Sequence, residues 1–357
     1  MKIEKTKFYS KKIGNLAKGC RQCVKGQKLV LFVTGICPRR CYYCPISDKK
    51  YGKDVIYANE RKITNIHQII EEAKLSDSKG AGFTGGDPLC KLWRTTFLIR
   101  NLKKKFGKRF HIHLYTSFDL INENDLAKLY RAGLDEIRFH ANIDNNKLWN
   151  KVELAKKFDW DIGIEIPVIP GKLKETKKLI DYFHDKIDFL NLNELEVADN
   201  KMSKLSKLGF LTKSKISYTI KGSEEMALKL MRYVERKKYK LNVHYCTAKL
   251  KDKVQLGERI KRRAKNAKKE YDLVDEEGML IRGAIYGKNL NVLRKELMRE
   301  FDIPSNLIEV DKDKKRLLLA AWIADELKKD LKKKELKIAI VKEYPTYDKL
   351  KIDVDFI

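Results

Sequence analysis

The stretch Lys28-Leu29-Val30-Leu31-Phe32-Val33-Thr34-Gly35-Ile36-Cys37-Pro38-Arg39-Arg40-Cys41-Tyr42-Tyr43-Cys44-Pro45 joins an apolar run to a loop carrying three cysteines. The run is rich in β-branched and aromatic residues and reads as a buried strand. Three thiolates from one short loop are one fewer than a fully ligated cubane iron–sulfur cluster needs, so one iron would stay open. The same three sulfurs also suit a zinc knuckle. Either way, a metal-binding loop sits at the carboxyl end of a buried strand, which is where ligands gather in parallel α/β architectures.

Working outward, the pattern of strand, turn and helix repeats. Strands are expected at 29–34, 80–84, 110–115, 135–140, 161–168, 188–195 and 241–246. Amphipathic helical stretches lie between them: Ile63–Leu75, Leu89–Phe106, Glu123–Ala132, Lys147–Phe158, Lys174–His184 and Ser223–Arg236, the last with Ser223 as N-cap. This is an α/β chain. Alternation of this kind implies parallel strands joined by right-handed crossovers, in a barrel or an open doubly wound sheet.

The polar residues fall at the expected strand ends. Thr84-Gly85-Gly86-Asp87-Pro88 follows the second strand and Tyr115-Thr116-Ser117-Phe118-Asp119 the third. Arg138 and His140 end the fourth, Pro167–Gly171 follows the fifth, and Asn191-Leu192-Asn193-Glu194-Leu195-Glu196 forms the sixth. Amide and carboxylate groups cannot cheaply line a core, so Asn191, Asn193 and Glu194 are substrate candidates, with Arg138 and His140 behind them. His111 and His113 lie in a strand at period two, and at least one of them reads as a solvated or hydrogen-bonded structural histidine.

On these residues the sequence resembles the radical S-adenosylmethionine superfamily, whose hallmark is this cysteine spacing with an aromatic residue, here Tyr43, before the last cysteine. It is most similar to archaeal members of the branch related to pyruvate formate-lyase activating enzyme. The resemblance covers residues 28 to 196 and implies a partial (βα)6-7 TIM-like barrel with a small C-terminal α+β domain. By it, Cys37, Cys41 and Cys44 bind a [4Fe-4S] cluster whose open iron takes S-adenosyl-L-methionine. Gly85-Gly86-Asp87-Pro88 stands where the family has Gly-Gly-Glu-Pro and addresses the methionyl amine, with Asp shorter than Glu. Thr116 and Ser117 meet the ribose and Tyr43 packs on adenine. Ile164–Gly171 corresponds loosely to the adenine-packing segment without its Gly and Glu pattern. The implied chemistry is reductive cleavage to a 5′-deoxyadenosyl radical that abstracts a substrate hydrogen, fed by an electron donor of ferredoxin or flavodoxin type.

Four cysteines remain. Cys20 and Cys23 have metal-knuckle spacing, and Cys90 and Cys246 are placed on the cluster rim, so the four together are candidates for a second iron–sulfur cluster or a zinc site. The reading of Cys90 and Cys246 as small buried apolar residues stands beside it.

The net charge of +29 concentrates in residues 1–28 (+8), 197–222 (+5) and 247–270 (+7). Clustered Lys and Arg fit either solvated faces or a polyanionic partner, and Arg259, Lys261, Arg262 and Arg263 form a phosphate-contacting candidate. The domain expectation is a basic extension with Cys-x2-Cys (1–27), the core barrel (28–246), a basic connector (247–270) and a small α+β domain (271–357). In that last domain strands are expected at 272–274, 279–285, 307–310, 337–341 and 349–357, with helices over 289–301 and 316–331. The stretch 197–222 reads as a lid or substrate loop. No apolar run reaches the length of a membrane span, and the chain reads as cytoplasmic. Three functions follow: modification of RNA such as tRNA, protein modification or glycyl-radical activation, and a non-catalytic zinc-holding RNA-binding protein.

Overall fold

A computed structural model describes residues Met1–Ile357. The chain runs β1 (Ile3–Lys5), β2 (Lys11–Ile13), α1 (Lys18–Cys23), β3 (Lys28–Phe32), β4 (Ile56–Ala58), β5 (Arg61–Ile63), α2 (Ile66–Leu75), β6 (Gly80–Thr84), α3 (Leu92–Phe106), β7 (His111–Thr116), α4 (Glu123–Ala132), β8 (Glu136–Phe139), α5 (Val152–Ala155), β9 (Asp161–Val168), α6 (Leu173–Phe183), β10 (Phe189–Glu194), α7 (Ser223–Arg236) and β11 (Asn242–Cys246). After these come α8 (Gly257–Ala267), β12 (Leu273–Val274), β13 (Leu280–Tyr286), α9 (Leu290–Glu300), β14 (Ile308–Asp311), β15 (Arg316–Leu319), α10 (Ala321–Glu326), α11 (Lys328–Lys333), β16 (Lys337–Glu343) and β17 (Lys351–Phe356). The chain divides into two compact units, residues 1–73 with 78–256, and residues 74–77 with 257–357.

The first unit is built on an eleven-stranded sheet ordered β1-β2-β11-β10-β9-β8-β7-β6-β3-β4-β5. Within that order the run β11-β10-β9-β8-β7-β6-β3 is parallel throughout, with antiparallel β2 on one side and antiparallel β4 on the other. This is the partial (βα) barrel. Alternation decides its character. Ile112, Leu114, Ile137, Ile162, Ile164 and Leu192 pack outward in the apolar core with the helices. The intervening positions, Tyr115, Arg138, Glu165 and Asn191, bond to one another on the inner face. A barrel interior this polar leaves a site in place of a packed core.

Residues 1–27 are no appended extension. β2 pairs with β11, and α1 lies within the barrel across the strand beginnings. The backbone N–H of Gly19 donates to Glu136 Oε2 at 2.9 Å, and a Cβ there would lie 2.4 Å from Arg138 and 2.7 Å from His113. The expected connector 247–270 is divided between the units, 247–256 with the first and 257–270 with the second, where α8 forms.

Three local expectations differ. The helix expected over 147–158 is reduced to short turns at 149–155, because the indole N–H of Trp160 donates to the carbonyl of Ala155 and closes the helix there. Ser223 is the first helical residue, not the cap. Its hydroxyl donates to Val168 O and accepts from Leu195 N–H, tying β9 to the chain after β10. In the second unit, residues 316–319 form strand β15, not the start of a helix, since Arg316 turns inward to Asp311 and Glu343. That unit carries a sheet ordered β14-β15-β13-β16-β17, with β12 on β13, around its own apolar core. No helix of the chain is long and apolar enough to cross a membrane.

Candidate active site

The cysteine loop is closed at its base by backbone alone. Gly35 N–H donates to Lys53 O at 2.8 Å and Gly52 N–H to Gly35 O at 2.9 Å. A Cβ on Gly35 would lie 1.7 Å from Lys50 O, so only glycine fits. The Gly-Gly turn after β6 locks alongside: Gly86 N–H donates to Thr34 O at 2.7 Å and Asp87 N–H to Ile36 O at 2.8 Å. A Cβ on Gly86 would meet Ile36 O at 2.3 Å. Asp54 anchors the same strand end, accepting from Thr34 Oγ and pairing with Arg94, which also donates to Val33 O. From the segment 197–222, the Asn200 amide donates to both Cys44 O and Ile46 O at 3.0 Å.

A cavity of about 760 Å³ opens beneath this loop. Cys37, Cys41 and Cys44 face it beside Gly85, Gly86, Thr116 and Ser117. Deeper in the barrel its walls are Tyr115, His113, Glu165, Asn193 and Cys23. It therefore joins the loop thiols to the barrel interior in one continuous space.

Tyr43 and His140 form one unit on the wall. Facing the backbone carbonyl of Glu165 at 3.1 Å, His140 Nδ1 must carry the proton, so Nε2 accepts from the Tyr43 hydroxyl at 2.9 Å. Burial, reinforced by the Arg39 charge, holds His140 down to about 4, and the ring stays neutral. Arg39 also donates to His140 O at 2.7 Å, fastening the cysteine loop to β8's end.

Asp87 borders the cavity, and its carboxylate is bonded to the neighbouring strand ends. It is 1% exposed, and its carboxylate accepts from Leu89 N–H, the Thr116 hydroxyl, Ser117 N–H and the Ser117 hydroxyl at 2.8 to 3.0 Å. Asp is one methylene shorter than the expected Glu, and that length turns the group into an internal strut between strand ends.

Glu165, which the sequence reading missed, is the hub of the interior. It accepts from Arg138 Nη1, Asn191 Nδ2 and Asn193 Nδ2 at 2.8 to 2.9 Å. Burial alone would raise its carboxyl, but the Arg138 charge and the amide donors outweigh it and hold the group below its ordinary value. The signal was present in sequence as one acid amid Ile162, Ile164 and Ile166. Asn193, Glu194 and His140 line the cavity, whereas Arg138 and Asn191 are buried and bonded to Glu165. Glu194 is paired with Lys213 and accepts from Ala248 N–H.

The four remaining cysteines are not one site. Only Cys23 faces the cavity. Cys20 is buried against Arg138 and Asn191, which donate to its sulfur, and Cys246 packs with Val24 and Leu250. Cys90 stands apart in the turn after Asp87, close enough to Cys37 for their charges to interact. The barrel strands intervene because α1 brings Cys20 and Cys23 up from beneath, whereas Cys90 lies at the strand ends.

The loop thiols fit a cluster better than a single ion. Around one tetrahedral zinc, sulfurs would stand about 3.8 Å apart. The group of three ligand atoms within 4.8 Å of one another is instead His111, Glu136 and Asp161, where Arg138 pairs with Glu136 and Lys28 meets His111 Nδ1, while His111 Nε2 has no hydrogen-bond partner. Three cysteines on one loop, facing a space large enough for a further chelating molecule, match a cubane with one open iron.

Residues 31–192 match the radical SAM superfamily, and residues 278–355 match a domain of unknown function. The chain is 41% identical over 362 residues to a Methanocaldococcus jannaschii protein provisionally named a glycyl-radical enzyme activating enzyme, covering 97% of this chain and 94% of that one. The chain belongs to the radical SAM superfamily. It is a radical SAM enzyme, and its cofactors are a [4Fe-4S] cluster and S-adenosylmethionine. Among solved structures it is similar to methylornithine synthase (14% identity, 61% of this chain, 70% of that one, TM-score 0.40). It is also similar to a radical S-adenosylmethionine methyltransferase from Kitasatospora setae (12%, 52% of this chain, 39% of that one, TM-score 0.37).

Proposed function

We propose that this enzyme abstracts a hydrogen atom from a protein substrate whose reacting residue enters the barrel beneath the cysteine loop. The observation that carries the reading is the continuous cavity joining the three loop thiols to Glu165, Asn193 and Tyr115. Cys37, Cys41 and Cys44 hold the cluster, and the wall formed by Gly85, Gly86, Thr116, Ser117 and the Tyr43–His140 pair receives S-adenosylmethionine. When bound and reduced by one electron, that cofactor pair supplies a 5′-deoxyadenosyl radical. The chain's own part is to fix the pieces, exclude water and present the substrate carbon. An electron donor of ferredoxin or flavodoxin type provides the electron.

The name of the 41% identical relative supports a protein substrate. The RNA reading loses its footing at 259–263, where Arg259 and Arg263 are buried and Arg262 is paired with Asp77. The test is anaerobic reconstitution with iron and sulfide, then addition of S-adenosylmethionine, dithionite and an extract of the host strain lacking this gene. A protease-sensitive organic radical in the electron paramagnetic resonance spectrum is expected. A product that follows the RNA fraction instead would reverse the assignment.

A further inference from the structure

Of the seven cysteines in the chain, four line the cavity: the loop triad Cys37, Cys41 and Cys44, and Cys23 in its deeper part. With the triad given to the cluster, Cys23 is the remaining thiol that a molecule in this space meets. The helix α1 delivers it from below, seated so deep that Gly19 has no room for a side chain against Arg138, His113 and Glu136. His113 forms part of the same lower wall. It is 2% exposed and its Nδ1 has no hydrogen-bond partner. Tyr115 beside it already accepts from Arg138 Nη1 and keeps its own hydroxyl hydrogen to donate.

The thiol is held in its neutral form. Burial, with the neighbouring Cys20 sulfur adding to it, pushes Cys23 up to about 12. A neutral S–H is a poor nucleophile and a poor metal ligand, but it has a hydrogen atom to give.

We propose that Cys23 is a catalytic residue that relays a hydrogen atom between the cofactor and the substrate. The inference rests on the function proposed above. In the first step the Cys23 S–H bond breaks homolytically and a C–H bond forms at the 5′-carbon, giving 5′-deoxyadenosine and a sulfur-centred radical. In the second, that sulfur takes a hydrogen atom from a substrate C–H bond, which restores S–H and leaves the unpaired electron on carbon. Atoms and electrons balance with no further reactant. An S–H bond is weaker than the C–H bond of the methyl group formed. It is stronger than the α C–H bond of a peptide glycine, whose radical is stabilised by both flanking amides. Both steps therefore run downhill for such a substrate, which then has to reach Cys23 and not the nucleotide.

The thiol hydrogen exchanges with solvent, whereas the hydrogens of S-adenosylmethionine and of a substrate C–H do not. The experiment is a single turnover of reconstituted enzyme in deuterium oxide with S-adenosylmethionine and dithionite, and mass analysis of the 5′-deoxyadenosine released. Monodeuterated product is expected from the wild type and from Cys246→Ala, and unlabelled product from Cys23→Ser and Cys23→Ala. Label that persists in both Cys23 variants, or that is lost in Tyr115→Phe while Cys23 is intact, overturns the proposal. Should neither Cys23 variant fold, the wild type still decides: unlabelled 5′-deoxyadenosine removes Cys23 from the path. Absence of any 5′-deoxyadenosine would instead bring down the function on which this rests.

Discussion

Asp87 Oδ2 accepts both the backbone N–H of Ser117 at 3.0 Å and its hydroxyl at 2.9 Å, binding the end of β6 to the end of β7. The two walls that flank the cavity are thus set by one carboxylate. Replacing it with the longer side chain of related motifs, Asp87→Glu, forces an extra methylene into a site that is 1% exposed. The expected loss is about 1–3 kcal/mol of stability, with weaker S-adenosylmethionine binding and unchanged iron content. Urea unfolding and equilibrium dialysis check this. Tighter cofactor binding in the variant would mean that the carboxylate serves the ligand and not the fold.

Gly86→Ala separates the turn from the cysteine loop, because the new methyl group would stand 2.3 Å from Ile36 O. Two backbone hydrogen bonds have to stretch to admit it. Iron bound per chain after reconstitution is expected to fall several-fold while the far-ultraviolet circular dichroism stays native. Full iron loading would show that the loop does not depend on this lock.

Each of Cys37→Ala, Cys41→Ala and Cys44→Ala is expected to abolish both the cluster absorbance and 5′-deoxyadenosine formation. Cys90→Ala and Cys246→Ala keep both. A variant of the triad that retained a full cluster would transfer that ligand role to another cysteine, with Cys90 the first candidate by its proximity to Cys37.

Acid sensitivity follows from His244, which burial holds down to about 4 against an ordinary 6.5. The unfolded chain takes up this proton as pH drops through 6.5, while the folded chain refuses it until about pH 4. Stability is therefore complete above the ordinary value and is lost progressively between the two, by at most about 3 kcal/mol from this residue. His244→Gln should flatten the slope of stability against pH across that window. An unchanged slope would assign the acid limit to other groups.

In the second unit, Arg316 is fully buried and donates to both oxygens of Glu343, which also accepts from Lys314. Glu343→Gln leaves the guanidinium without its main counter-charge, at an expected cost of about 3–5 kcal/mol. Calorimetry of the full chain should show the melting of this unit moved down while the barrel transition stays. Loss below about 1 kcal/mol would mean that Asp311 alone suffices.

The barrel was legible because its strands alternate: aliphatic residues at every second position, and His111, His113, Glu136, Arg138, Asn191 and Asn193 between them. A polar residue repeating at period two inside a parallel strand can face only a lined interior. The role of Asp87 was not legible, since identity at a motif position says nothing of which donors surround it. The depth of α1 was hidden for a related reason. Cys-x2-Cys on a basic extension looks like a surface metal knuckle until the strand pairing of β2 with β11 carries it under the barrel. Arg316–Leu319 failed by periodicity, because one charged residue followed by three leucines suits a helix face and a buried strand equally.

Because α1 lies across the beginnings of β3, β6 and β7, the space near Cys23 is at the far end of the cavity from the thiol loop. Entered from that loop, the chamber fills like a test tube, bottom layer first. An ordered arrival is the expected outcome if both guests enter by the thiol loop, with the deeper guest bound ahead of the nucleotide. The nucleotide alone would then act as a stopper against its own partner, and excess S-adenosylmethionine should slow turnover.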